Sequence, residues 1–279
     1  VSRCGPGCLT VQYDASGQSL APSDVLQFIL HTGSGNQIVQ EIARNSQPEF
    51  CSDPLKMTYG VTYYVSAAAG LNDGSGNVIL QDFCAAVSPG TPVLFLENPV
   101  ASITASGDIT CAHPQSNLMG TASLPGVTFL WQTQGGVISG SNDLDQIVAT
   151  AGGVYTLAVT ANGCTATASV AVHEDLTPPD INLATPAVLT CTNETVTLSG
   201  SATPSDTDLS WITINGSDTT LIGAGSFIDV SSQGIYYLAA SNPVNGCRAI
   251  RNTIVTADLA APVADAGDSF TIACSGAPA

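Results

Sequence analysis

The sequence predicts an all-β chain built from tandem two-sheet sandwich modules, each closed by its own disulfide. Three observations predict it: a block of markers that recurs in register, a strand-type alternation inside each block, and cysteines at fixed points of the block. The recurrence appears on aligning PVASITASGDITCAHPQSNLMGTASL from Pro99, PDINLATPAVLTCTNETVTLSGSAT from Pro179 and PVADAGDSFTIACSGAPA from Pro262. In each, the cysteine (Cys111, Cys191 or Cys274) falls twelve residues after the proline. A tryptophan follows twenty residues later in both complete copies, Trp131 and Trp211. Next come GGVYTL with Tyr155 or QGIYYL with Tyr236, and then NGC with Cys164 or Cys247. The first cysteine recurs after 80 and then 83 residues, the signature of a repeat architecture in which each copy is one structural unit.

Within a copy the elements read as strands. VTFLWQT, VYTLAVTA and TATASVAV alternate apolar with small or polar residues and are rich in Val, Thr and aromatics. Clusters of Gly, Asn, Ser and Pro separate them. ANGC and VNGC supply the Asn-Gly pair that accepts positive φ in a tight hairpin. About seven short strands in roughly 80 residues is the size of an immunoglobulin-like sandwich, in which alternation buries one face of each sheet. In that arrangement Cys111 is expected opposite Cys164, and Cys191 opposite Cys247. Each bridge would close a loop of just over fifty residues, worth ~4 kcal/mol of chain entropy. Trp131 and Trp211 are expected in the core beside these bridges rather than exposed to stack on sugars. Tyr155 and Tyr236 are expected to bond back to the backbone as a tyrosine corner does.

Composition bounds the function classes. The chain has 279 residues, 44% of them hydrophobic, which is enough for two or three folded domains. Its formal charge is −17, with Lys56, Arg3, Arg44, Arg248 and Arg251 as the only fixed cationic side chains. Such a surface disfavours nucleic acid and anionic lipid, both of which are bound by neutralising phosphate with Lys and Arg. The apolar runs are short and broken, so no direct membrane insertion is expected. The chain opens inside VSRCGPGC and reads as a piece of something longer. Nine cysteines without paired CxxC knuckles point to disulfides in an oxidising compartment rather than to zinc.

The order Cys, Trp, GxYxL, NGC and a closing strand resembles the bacterial Ig-like, PKD-type repeats of large Bacteroidota cell-surface and secreted proteins, over roughly residues 94–279. The resemblance implies an adhesin or appendage component exported by the type IX route. In the antibody pattern the tyrosine sits two residues before the second cysteine; here the separation is nine and eleven, which leaves open the strand that carries Cys164 and Cys247.

The expected boundaries are a divergent Ig-like module over 1–93, repeats over 94–175 and 176–261, and the first strand of a further repeat over 262–279. The first module rests on an echo: MTYGVTYYVSAAAG and DFCAAVSPGTPVLF match the Tyr strand and the Cys strand of the later copies. DVLQFILHTGSGNQIVQEI reads as two strands around GSGN, with NQIVQEIA open to a short helix. Cys4, Cys8, Cys51 and Cys84 permit three pairings. Analogy with the repeats favours Cys8 with Cys84, leaving Cys4 with Cys51.

No GxSxG, HExxH, Walker or GxGxxG motif is present, and His31, His113 and His173 lie in different segments, so no enzyme is expected. No cofactor is expected either, with calcium as the one candidate ligand. LNDGSGNVILQD, with Asp73 and Asn77, resembles a shortened calcium loop but also reads as a plain hairpin turn. The linkers HEDLTPPD, with Glu174 and Asp175, and TADLAAPVAD, with Asp258, place carboxylates where modules meet.

These readings converge on a non-catalytic extracellular or cell-surface repeat protein, a rigid stalk or appendage part that mediates attachment. Its partners would be other copies, neighbouring modules, or cell-surface proteins and glycans. Two rivals stand beside it: an accessory carbohydrate- or protein-binding module of a secreted hydrolase, and a self-assembling filament subunit.

Overall fold

In the strand Gly153–Ala161, alternation in sequence becomes alternation in burial: residues 155, 157, 159 and 161 are buried and those between are not. This strand pairs antiparallel with Thr128–Gln134 on one side and with Cys164–Val172 on the other. A second sheet runs in the order Val137–Ser139, Gln146–Ala151, Ser116–Ala122, Ala101–Ala105. Seven strands split four and three in this way form the constant-type immunoglobulin arrangement, ABED against CFG. The computed structural model, which describes residues 1–260 together with Val263, Asp265 and Gly267, is all-β with no helix among them.

The third copy repeats the plan with one change. Asp180–Leu183, Val196–Thr203 and Phe227–Val230 form one sheet; Asp218–Ala224, Asp208–Asn215, Gly234–Ser241 and Arg248–Val255 form the other. Asp218–Ala224 folds back on Asp208–Asn215 through a two-residue turn at Gly216–Ser217, closed by the Asn215–Asp218 pair. The positive φ of Gly216 suits it to that turn. The corresponding short strand of the second copy, Val137–Ser139, joins the opposite sheet.

The chain divides into two compact units. Unit 1 holds Val1–Gly107 and Gln115–His173; unit 2 holds Asp108–Pro114 and the described residues from Glu174 onward. The segment 108–114, which belongs to the second copy by sequence, is therefore part of the same unit as the third copy. The repeat start expected from Pro262, including Cys274, lies outside the described residues.

Residues 1–96 form a mixed sheet in the order Ser2–Cys4, Thr91–Leu96, Thr62–Leu71, Asp24–Thr32, Gln40–Asn45, with Ala86–Val87 added to Thr62–Leu71. Here the strand Asp24–Thr32 does not alternate, because both its faces are covered. Phe28 and Leu30 pack with Leu9, Phe50, Tyr63 and Phe95, while Ile29 packs with Ala68 and Val78. NQIVQEIA contributes to a strand rather than a helix, since Gln40–Asn45 pairs with Asp24–Thr32 across the sheet.

Candidate functional site: sulfur links between sequence copies

Each first cysteine is carried by a short strand with a parallel partner. Ile109–Thr110 pairs in parallel with Glu174–Asp175 and delivers Cys111; Leu189–Thr190 pairs in parallel with Ala257–Asp258 and delivers Cys191. Buried Ile109 and Leu189 anchor these strands from the apolar side. Both then turn tightly. Thr110 N–H donates to the His113 carbonyl at 2.9 Å and Thr110 Oγ1 accepts from His113 N–H at 3.1 Å. In the first segment, Ser2–Cys4 likewise pairs in parallel with Thr91–Leu96.

Each closing cysteine sits at the turn between the last two strands. In the second copy that turn is the two residues Asn162–Gly163, both at positive φ, closed by the Ala161–Cys164 pair. The third copy inserts residues here, so strand pairing stops at Ser241–Arg248 and six residues, 242–247, make the connection. Asn245 is therefore not the apex of a two-residue hairpin, as its NGC context suggested. It is 1% exposed and bonded on three sides. Its Nδ2 donates to the Thr177 carbonyl at 3.0 Å. Its Oδ1 accepts from Cys247 N–H at 2.9 Å. Its carbonyl accepts from Ala112 N–H at 3.1 Å. Gly246 completes the seat: a Cβ there would stand 2.6 Å from the Cβ of Ala112.

The disulfides follow from this geometry, and all four expected pairings are corrected. The bonds are Cys4–Cys164, Cys8–Cys51 and Cys111–Cys247; Cys84 and Cys191 are free and exposed. The third copy shows why Cys191 does not bond Cys247. Strand Val196–Thr203 begins just after Cys191 and ends where Asp208–Asn215 begins, and Asp208 pairs with Ser241, next to the closing turn. The two cysteines thus lie at opposite ends of an eight-residue strand, ~25 Å apart at ~3.3 Å per residue, beyond the ~7 Å Cα limit of a disulfide. Cys111 and Cys164 do not pair either: Cys164 bonds Cys4 and Cys111 bonds Cys247. At the other end, Cys8 lies directly opposite Cys51 in the ribbon Cys8–Thr10 with Glu49–Cys51, which excludes both Cys8–Cys84 and Cys4–Cys51.

Leu118 and Leu157, both wholly buried, fill the sandwich interior of the second copy. Trp131 is wholly buried there and donates from Nε1 to the Leu144 carbonyl at 2.8 Å. Gly120 lies beneath it, where a Cβ would stand 3.0 Å from the indole. In the third copy Trp211 packs with Leu198 and Leu238, and its Nε1 has no hydrogen-bond partner among the described residues. The Tyr155 hydroxyl donates to the Ala151 carbonyl at 2.6 Å and accepts from Val137 N–H at 3.0 Å. The Tyr236 hydroxyl donates to the Ser232 carbonyl at 2.8 Å.

The acidic candidates are engaged by the backbone. Asp73 Oδ1 accepts from the N–H groups of Ser75 at 2.8 Å and Asn77 at 3.1 Å, and the Asn77 amide donates to Asp73 Oδ2. Those backbone bonds, with a smaller contribution from the Arg44 charge, hold the Asp73 carboxyl below its ordinary value. The segment is a self-closed hairpin turn bounded by the Asn72–Val78 bridge. Asp175 is lowered in the same way, first by Thr177 N–H and then by the Asn245 side chain. Glu174 lies beside it in a two-residue strand, and Asp258 lies in another. Among the described residues, no three His, Cys, Asp or Glu side chains are grouped to hold a metal ion. His31 is wholly buried, with Nε2 on Ser66 Oγ at 2.9 Å and Nδ1 on the Thr32 carbonyl at 3.0 Å.

No protein-family model and no curated protein matches the chain. Among solved structures, the chain is similar to the full ectodomain (Ig1–Ig3) of mouse nectin-like molecule 4, at 12% identity over 95% of this chain and 99% of that one, with a TM-score of 0.36. It is also similar to the N-terminal eight Ig domains of Down Syndrome Cell Adhesion Molecule, at 10% identity over 86% of this chain and 35% of that one, with a TM-score of 0.38. A third is three N-terminal domains of the bacteriophage RB49 Highly Immunogenic Outer Capsid protein, at 12% identity over 87% and 91%, with a TM-score of 0.35. At these scores the likenesses say nothing of what the chain does.

Proposed function

We propose that the chain is a non-catalytic, tension-bearing spacer of an extracellular or cell-surface attachment protein. The carrying observation is the covalent stagger: Cys4 of the first segment is bonded to the closing cysteine of the second copy, and Cys111 of the second copy to that of the third. A bond within one copy holds only that copy together, whereas these two bonds shorten the covalent path from Cys4 to Cys247 to the backbone between Cys111 and Cys164. Three disulfides also favour an oxidising, extracytoplasmic compartment. Export by the type IX route and a place in a surface appendage remain part of this reading, on the resemblance of the repeats alone.

Replacing residues 94–261 by a flexible linker in the producing cell tests the proposal. Attachment of cells under flow is expected to fall at least several-fold, with glycan and protein hydrolysis by the secreted material unchanged. The opposite result, hydrolysis lost and attachment kept, would establish the accessory-module reading instead.

A further inference from the structure

The turn at Cys191 reproduces the turn at Cys111. Thr190 N–H donates to the Asn193 carbonyl at 3.0 Å and Thr190 Oγ1 accepts from Asn193 N–H at 3.0 Å, the same two bonds that Thr110 makes with His113. The residue before each threonine is buried, Ile109 at 1% and Leu189 at 4% exposure. Each carrying strand pairs in parallel with the two residues just beyond the last long strand of its copy. Cys111 is bonded and Cys191 is not.

In both cases where the chain contains the next copy, a first cysteine has taken that copy's closing cysteine: Cys4 with Cys164, and Cys111 with Cys247. Cys191 cannot take the closing cysteine of its own copy, which lies at the far end of the sandwich and is already bonded to Cys111. We propose that Cys191 is one half of a further copy-to-copy disulfide, whose other half is the closing-turn cysteine of a repeat that follows the third on the same chain. The two bonded equivalents of Cys191, rather than its exposure, carry this assignment. In the docked state Thr192 N–H takes the place of Ala112 N–H, donating to the carbonyl of the residue two before the incoming cysteine, as Ala112 does to Asn245.

The bond forms by exchange with an external disulfide, supplied by an oxidoreductase or by oxidised glutathione. The Cys191 thiolate attacks one sulfur of that disulfide and releases one thiol. The partner thiolate then attacks Cys191 Sγ and releases the second. One S–S bond is made and one broken; the two protein thiols lose two electrons and two protons, and the external disulfide gains them. This linkage does not depend on what the protein attaches to.

The test uses the protein as isolated from the cells that make it, quenched in acid, alkylated without reduction, digested and mapped by mass spectrometry. Cys191 is expected in a cross-linked peptide with a cysteine from beyond residue 279, without alkyl label, beside the Cys111–Cys247 and Cys4–Cys164 peptides. Recovery of Cys191 as the alkylated thiol, or joined to any other cysteine of residues 1–279, would overturn the proposal. A Cys111→Ser variant adds a second reading: Cys247 should gain the alkyl label while the Cys191 cross-link persists. Capture of Cys191 by the released Cys247 would overturn the one-copy stagger.

Discussion

Cys111 and Cys247 are covalently joined although 136 residues separate them, and the bond is cradled by Asn245, whose carbonyl holds Ala112 N–H and whose side chain holds Cys247 N–H. Together with Cys4–Cys164, this bond reroutes the chain under load.

Cys4 and Cys247 are 243 positions apart along the backbone, but the covalent path through both disulfides crosses only the 53 positions between Cys111 and Cys164. At ~3.5 Å per extended residue, the pulled length between them falls from ~850 Å in the reduced chain to ~190 Å in the oxidised one. Single-molecule pulling with and without reductant measures the difference. Equal lengths in both states would mean the staggered bonds are not formed.

Gly246 has a φ of +72° and faces Ala112. Gly246→Val puts a β-branched side chain in left-handed backbone and a Cβ against Ala112, at a cost of about 1–3 kcal/mol. Thermal melts should show the loss, and alkylation should show a fraction of Cys111 and Cys247 left reduced. Gly163→Val is the comparison: its φ is +84°, but nothing lies within 4 Å of its Cβ, so only the backbone strain applies.

Trp131 and Trp211 occupy the same place in successive copies but differ in one bond. Trp131→Phe removes the hydrogen bond to the Leu144 carbonyl, whereas Trp211→Phe removes no hydrogen bond. Trp131→Phe should therefore be the more destabilising by about 1 kcal/mol. Urea unfolding of the two variants checks the order; equal losses would refute it.

The Asp175 carboxyl is held below its ordinary value by Thr177 N–H and Asn245. A depressed folded-state value means that the stabilisation is present above the unfolded carboxylate value and is lost as pH falls through the folded one. Asp175→Asn should therefore lower the unfolding midpoint at pH 7, and the gap from the parent chain should narrow below about pH 4. A constant gap across that range would show that the carboxylate charge plays no part.

Much of this architecture is written locally. The alternation in VYTLAVTA places Tyr155, Leu157 and Val159 on one face whatever lies opposite, because successive strand side chains point to opposite sides. The spacing of Trp131 and Trp211 from Cys111 and Cys191 marks equivalent strands of equivalent sandwiches. The strand Asp24–Thr32 of the first segment was less legible, since Phe28, Ile29 and Leu30 are all buried and a strand covered on both faces has no period to read.

Residue order by itself determined the strands, their repetition and the tryptophan and tyrosine positions, because each depends on side chains within a few residues of one another. Only the tertiary structure decided the sulfur partners, the inward turn of Asp73 onto its own backbone and the burial of Asn245. A disulfide needs two Cα atoms within ~7 Å, and which cysteines meet that condition depends on which end of a sandwich each turn occupies. Repeat spacing puts Cys111 and Cys164 in one copy, yet Cys111 bonds Cys247 and Cys164 bonds Cys4, because bonding distance is met only there.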